Sequence, residues 1–428
     1  MSFKLPGLPP FGKDELAVFW LLIAVVLFHR QRLRELRLDR SLKVVFVVIV
    51  VGLIATVFLN ADPISNVSVQ IPGHRPYDTV HFLISSALAY ILPFMVAAAM
   101  FKGPGDLRVL FRLLVGAALV YSVFQIIEIR FSPQFHKWFY GYHQSYFLQA
   151  KRDGGFRPMV FMEHGLAVAM FTFVGAMAAV ALYRTKLARS PWSPAWAAPY
   201  LWVILLLSNS QAALLYSVVA APLIWFGSPK TQHRAAVMLA VVLLSYPVLR
   251  SSGLVPVDVI GDVVVEQFGE ERGRSLMTRF ENEELLLERA NERALFGWGA
   301  YCRPCIFHAW TGEELSLRDG DWIITYGGFG IVGFYGKYLL LLLPVFISAR
   351  RRKRILRESD RRLLAALSVI IGFCAFDLIP NGQFNYLVFA LSGALLGCSR
   401  GAVAESAKAL RARRERAIQN SQRSLHVA

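Results

Sequence analysis

The stretch from Trp322 to Arg362, WIITYGGFGIVGFYGKYLLLLLPVFISARRRKRILRESDRR, decides the fold class. Residues 322–349 form an apolar run, followed by a loop holding Arg350, Arg351, Arg352, Lys353, Arg354, Arg357, Arg361 and Arg362. A hydrocarbon core of about 30 Å is crossed by roughly 17 to 25 apolar residues as a helix, because backbone groups in lipid must be satisfied internally. Short loops rich in Lys and Arg stay on the cytoplasmic side. One stretch therefore predicts both a membrane span and its direction.

The pattern repeats outward from it. The 428-residue chain is 55% hydrophobic and 18% charged, with a mean hydropathy of +0.46, and its charges collect in loops between apolar runs, unlike a soluble fold. Eleven runs are legible, near 15–29, 42–60, 80–101, 109–129, 160–183, 195–208, 210–227, 235–249, 322–349, 363–380 and 383–399, the sixth and eighth being short. The expected fold is thus an all-α polytopic membrane protein with about eleven transmembrane helices. Lys4, Pro6, Pro9 and Pro10 at the start do not form a basic region followed by an apolar stretch and a small-residue cut site, so the first span is expected to be retained.

Arg30, Arg32, Arg34, Arg37, Arg40 and Lys43 follow the first run and make a second cytoplasmic loop. Eleven crossings put the loops at 102–108, 184–194 and 228–234 on that same side, together with the basic tail 400–428, and each contains Lys or Arg. The N-terminus, 61–79, 130–158 and a long loop at 250–321 fall outside. The expected organisation is a bundle of eight spans over 1–249, the largely helical outer loop 250–321, three spans over 322–399 and the tail. That loop has eight Arg, no Lys and fourteen Asp or Glu, a net of minus six, whereas the chain is +17. The basic balance is a topology signal, and no nucleic-acid partner is expected. In the tail, Lys408, Arg411, Arg413, Arg414 and Arg416 read as a solvated basic segment, with anionic lipid as the alternative contact.

Cys374 and Cys398 lie in spans as packing residues. Cys302 and Cys305 form a C-x-x-C in the outer loop, where a disulfide is permitted and free thiols are the other reading. His308 is close by, but two thiols and one imidazole do not complete a tetrahedral shell, so no metal is expected. There is no Walker loop, no G-x-G-x-x-G and no internal repeat.

Three outer segments carry more functional residue types than a connection needs. Ser132 to Pro158 holds Phe135, His136, Trp138, Phe139, Tyr140, Tyr142, His143, Tyr146 and Phe147, then Lys151, Arg152, Asp153 and Gly154; it reads as an interfacial aromatic belt, or as a platform for sugar rings or a lipid-linked ligand. Arg157 sits at the mouth of span five, with Glu163 and His164 about one turn inside, where ionisable groups usually face a working cavity. Glu163 and His164 also read as a pair orienting span five. The second segment, Arg272 to Gly299, has no Gly or Pro over 275–293 and predicts a helix. Arg279 and Arg293 share one face of it, yet stand roughly 21 Å apart and cannot grip one diphosphate. Its other charges, Glu281 with Arg289 and Glu288 with Glu292 and Arg293, read as a solvated face. The third segment runs from Arg303 to Asp321; Asp319 and Asp321 are carboxylates able to take a proton from a hydroxyl nucleophile, or a cap and a solvated charge. Asp377, with Pro380, Asn381 and Gln383 beyond it, is a further candidate or a helix-end residue.

Arg157 to Gly165 (RPMVFMEHG), Arg279 to Gly299 (R…LLERANERALFGWG) and Asp319 to Gly333 (DGDWIITYGGFGIVG) together resemble the bacterial O-antigen ligase and O-antigen polymerase superfamily, membrane glycosyltransferases with a long periplasmic loop late in the chain. They cover under a fifth of the sequence. The resemblance implies transfer of a glycan from a polyprenyl-diphosphate carrier to a glycan hydroxyl, with no metal and no other cofactor. It assigns Arg157 and Arg279 to the donor diphosphate, with Arg303 as a third such candidate and Glu163, His164 and Arg289 in support. Guanidinium suits that role, being always charged and able to grip phosphate bidentately. Where the family places His-Asn before the span, this chain has Asp319-Gly320, so the base is Asp319, Asp321 or His308.

The favoured reading is an inverting polymerase extending an exopolysaccharide or O-antigen in the inner membrane, partnered by the lipid-linked donor, the glycan acceptor, the bilayer, a chain-length regulator and a flippase. The close alternative is a ligase acting on lipid A core. A lipid-linked-glycan flippase or transporter is a different class, and calls for midplane charges and inverted repeats. A noncatalytic membrane scaffold is the third.

Overall fold

In a computed structural model of the chain, residues 12–65, 69–143, 150–152, 155–185, 193–382 and 385–427 are described. Lys4, Pro6, Pro9, Pro10, Tyr146, Phe147, Asp153, Gly154, Gln383 and most of the loop 184–194 lie outside those residues. The elements, in chain order, are α1 Lys13–Arg34, α2 Arg40–Phe58, strands β1 Ile64–Ser65 and β2 Gln70–Ile71, α3 Pro76–Ser86, which passes through a π-turn at Ala87–Ile91 into α4 Leu92–Met100, α5 Pro104–Phe131, α6 Phe135–Tyr140 and strands β3 Lys151–Arg152 and β4 Gly155–Phe156. Then follow α7 Gly165–Arg184, α8 Pro194–Leu207, α9 Gln211–Phe226, α10 Pro229–Ser251, α11 Val257–Phe268, α12 Glu270–Asn291, α13 Asp321–Arg351, α14 Glu358–Asp377 and α15 Asn385–Val427. The strands form two antiparallel pairs, Ile64 opposite Ile71 and Lys151 opposite Phe156.

Among the described residues, eight helices are long and apolar enough to cross a membrane. They contain eight of the eleven apolar runs. The other three differ from expectation for identifiable reasons. α8 and α9, the sixth and seventh runs, have 14 and 16 residues, so at 1.5 Å per residue neither reaches the roughly 30 Å of a hydrocarbon core. The tenth run lies in α14, whose first turns carry Glu358, Asp360, Arg361 and Arg362 ahead of the buried stretch 363–375. The eighth run, short in sequence, extends to 23 residues as α10. α7 begins at Gly165 and not near 160, because the preceding residues are drawn out of helical geometry, with Val160 at φ +50°.

The residues group into two units, one of Met1–Pro93, Met238–Leu343 and Cys374–Phe389, the other of Phe94–Val237, Pro344–Phe373 and Ala390–Ala428. In the second unit α7 is the centre: its residues 167–170 and 172–182 are buried, against α5, α8 and α9. Its Ala and Gly content allows that close approach, which in lipid is supplied by van der Waals packing.

In the first unit, α13 is broken at Gly330 (φ +62°, ψ −167°), and the segment after α12 fills the break. Ile331 and Val332 donate their N–H groups to the carbonyls of Ala294 and Leu295 at 2.8 and 3.2 Å, while Trp298 and Gly299 donate to Gly327 and Gly328 at 2.9 and 2.7 Å. A Cβ on Gly330 would stand 2.4 Å from the Leu295 carbonyl carbon, and one on Gly297 2.4 Å from that of Gly328. Neither position accepts a side chain. From α2, the Thr56 hydroxyl and the Asn60 amide donate to the carbonyls of Phe296 and Gly297 at 2.6 and 2.9 Å. The FGWG segment is thereby tied both to the broken helix and to α2.

Cys302 and Cys305 form a disulfide, which leaves neither sulfur as a thiolate for metal. Beside it, the fully buried His74 ring accepts the Ala300 N–H at Nε2, 3.3 Å. Burial first, and the Arg303 guanidinium second, push the His74 imidazole below its usual range, with Asp78 opposing.

Gly330→Ala is expected to lose about 1–3 kcal/mol from backbone strain alone, read as a lower melting temperature in detergent, with Gly105→Ala, where a Cβ meets open space, within about 0.5 kcal/mol of wild type. Because the folded His74 pKa is depressed, its neutral form contributes stability that is intact above the unfolded value of about 6.5 and is lost as pH falls below it. The melting temperature is expected to drop between pH 8 and pH 5.5, and His74→Gln to flatten part of that drop.

Candidate functional site

A cavity of about 320 Å³ in the first unit lies beside the middle of α12 and the start of α13, with Arg279, Glu283, Asp319 and Tyr246 among its lining residues. Two of the expected site residues meet there. Arg279 Nε stands 3.5 Å from Asp319 Oδ2, with 39% and 53% of their side chains exposed, so both sit at the rim. The loop carrying Asp319 is fixed to α12 by Asn282, whose Oδ1 accepts the Leu317 N–H at 3.2 Å. Backbone N–H groups of Asp321 and Trp322 donate to the carbonyls of Asn381 and Leu378, which sets the turn after α14 against the same mouth.

Sequence reading missed the deepest charged residue of this cavity. Glu283 Oε1 accepts from Arg250 Nε at 2.8 Å and from the Tyr246 hydroxyl at 3.1 Å, and its Oε2 accepts from Trp322 Nε1 at 3.1 Å. Burial pushes its carboxyl up, with Arg250 pulling it down. Arg250 also pairs with Glu284 at 2.6 Å. A run of glutamates suggested a solvated face. The available signal was spacing: Glu283 precedes the buried Leu287 and Ala290 by four and seven residues, on one helix face.

The remaining candidates stand elsewhere. Asp321 is buried, with Lys337 Nζ 2.8 and 2.7 Å from its two oxygens and the Tyr338 hydroxyl also donating to it. It is committed to holding α13 together and does not line the cavity. His308 is exposed on a hairpin in which Phe307 bridges Glu314, its Nδ1 accepting the Thr311 N–H at 3.2 Å. Arg303 is fully buried, donating to the carbonyls of Trp298 and Pro72, each at 3.0 Å, and lying 3.8 Å from Asp62. Arg289 and Arg293 both lie over the Trp298 ring, at 3.5 and 4.2 Å; Arg289 pairs with Glu292 and Arg293 with Asp62, so the ion pairs expected within the helix are differently made. Asp377 is a helix-end residue, accepting from the Asn381 amide at 3.0 Å.

In the second unit, Arg157 is buried and donates from Nη2 to the carbonyl of Asn209, 2.8 Å, in the turn joining α8 to α9. Its stem crosses Gly165, where a Cβ would come within 2.3 Å of Arg157 Cδ. The peptide beyond it is held by Glu128 of α5, another residue that sequence reading passed over: its carboxylate accepts the N–H groups of Phe135, Met159 and Val160 at 3.0, 2.8 and 2.7 Å. An acid inside an apolar run was the visible signal. His164 caps α7, its Nδ1 accepting the Leu166 N–H at 3.1 Å, and Glu163 is exposed. The aromatic segment packs inward on Phe161, which lies 6.0 Å from Phe135 and 5.4 Å from Phe139, while Trp138 and Phe139 present large exposed faces.

These settings separate the two arginines by stability. Arg157→Ala is expected to lower stability by about 1–3 kcal/mol, since the Asn209 carbonyl loses a buried donor; Arg279→Ala, at a half-exposed rim, is expected to stay within about 0.5 kcal/mol of wild type, both measured by melting in detergent. No protein-family model matches the chain, and no curated protein matches it.

Proposed function

We propose that this chain is a membrane glycosyltransferase that moves a glycan from a polyprenyl-diphosphate carrier to a glycan hydroxyl, polymerising an exopolysaccharide or O-antigen at the outer face of a bacterial inner membrane. The observation that carries the reading is the meeting of Arg279 and Asp319 at the rim of one cavity. Of the three groups able to serve as base, Asp319 alone lines it.

The chemistry assigned to the pair is a single displacement. The acceptor oxygen attacks the anomeric carbon as the bond from that carbon to the diphosphate oxygen breaks; the hydroxyl proton passes to Asp319, and the diphosphate leaves with the bonding electrons. Configuration inverts. Arg279 offsets the charge that grows on the leaving diphosphate, a contact that strengthens as the bond breaks and so lowers the barrier. Arg157, in this reading, fixes the α8–α9 turn at the mouth of α7. The spans supply the bilayer setting that a lipid-linked donor requires.

The test is reconstitution of the purified chain in liposomes with a polyprenyl-diphosphate oligosaccharide and an acceptor glycan. Chain growth is expected, and is expected to persist with chelator present. Arg279→Ala is expected to reduce the rate at least a hundredfold, since one electrostatic transition-state contact is worth on the order of 3 kcal/mol. A full rate in the Arg279 variant counts against the mechanism. Product length in the same assay separates repeated extension from the single transfer that a ligase would make to lipid A core.

A further inference from the structure

The deep wall of the same cavity is built differently from its rim. Glu283, with 12% of its side chain exposed, is fixed from three directions by Arg250, Tyr246 and Trp322. A carboxylate offers about four acceptor positions; three are taken, and one is left on a residue that lines the cavity. The charged groups of the lining are Arg279 against two carboxylates, Glu283 and Asp319, with Arg250 behind Glu283. At about 320 Å³, the space is near the bottom of the roughly 300–1,000 Å³ range of small-molecule pockets. It fits a sugar-sized group and not a polyprenyl chain.

We infer that this cavity is the acceptor subsite, and that it selects a terminal sugar that is uncharged or bears an amine, with Glu283 accepting a hydrogen bond from one of the sugar's hydroxyls. The inference rests on the glycosyltransferase reading and names its acceptor class. A carboxylate-bearing sugar such as a uronic acid would bring a third negative group beside Glu283 and Asp319, with Arg250 already taken by Glu283 and Glu284 and Arg279 the cation of the lining, and like charges set side by side at a binding site cost affinity. Leu286 and Ile323 also line the cavity and suit the less polar face of a sugar ring. Arg279, at the rim, remains available to the donor's diphosphate.

The experiment is equilibrium binding of two oligosaccharides to the full-length chain in detergent at pH 7.5 and low salt, one ending in a neutral hexose, the other identical except for a terminal uronic acid. The neutral ligand is expected to bind at least about tenfold more tightly. Glu283→Gln is expected to weaken neutral binding and to narrow the gap to about twofold; Asp319→Asn, at the exposed rim, is expected to narrow it too, and decides the matter should Glu283→Gln show no folding transition. Equal affinities in wild type, or an unchanged ratio in the variants, overturn the subsite. Chain growth measured on the same preparation keeps the two ideas apart: growth without acceptor discrimination removes only this inference, whereas no growth on any acceptor removes the glycosyltransferase reading and this inference with it.

Discussion

A helix in lipid satisfies its own backbone, and a helix that breaks there must find partners elsewhere. The break at Gly330 of α13 is the point on which the first unit depends. Its freed N–H and carbonyl groups pair with residues 294–299, and this pairing brings the end of the long loop back onto the span that follows it. Two glycines with positive φ make the approach possible, at Gly297 and Gly330. Thr56 and Asn60 then close the remaining carbonyls.

The candidate site is a consequence of that anchoring. With residues 294–299 held, α12 is fixed at its C-terminal end. Glu283 fixes it again in the middle, through Arg250 and Trp322. Arg279, one turn before Glu283, and Asp319, two residues before the first turn of α13, are left half exposed on a rigid frame. A buried, hydrogen-bonded wall thus adjoins a half-exposed, charged rim, the contrast on which the proposed group transfer rests. Arg303, Arg289 and Arg293 supply the frame. Their guanidinium groups are used on carbonyls, on the Trp298 ring and on Asp62.

The second unit solves a similar problem with a carboxylate. Glu128 takes three backbone N–H groups that no helix satisfies, and so holds the irregular peptide between Arg157 and Gly165. Arg157 in turn satisfies the carbonyl of Asn209, where α8 ends and α9 has not begun. Two apolar helices too short to span therefore meet at a turn secured by a buried cation.

The amino-acid sequence by itself determined the helical, membrane-spanning class, because apolar runs of spanning length and clustered arginines are one-dimensional signals. It also placed α12, which has no Gly or Pro from 275 to its end at Asn291, and marked Arg279 and Asp319 as residues to watch. It read α8 and α9 as two spans on either side of the polar Ser208–Asn209–Ser210 turn and did not show that helices of 14 and 16 residues fall short of a crossing, because where each begins and ends is set by partners far away in the chain, such as Arg157. Nor did it separate arginines that build from arginines that face a cavity. Arg303 and Arg279 are the same residue type in the same loop; one is enclosed by the carbonyls of Trp298 and Pro72, the other stands at an open rim. Only the tertiary structure decides that, because the fate of a charge depends on which donors, acceptors and solvent surround it, and those come from segments that the chain order keeps apart.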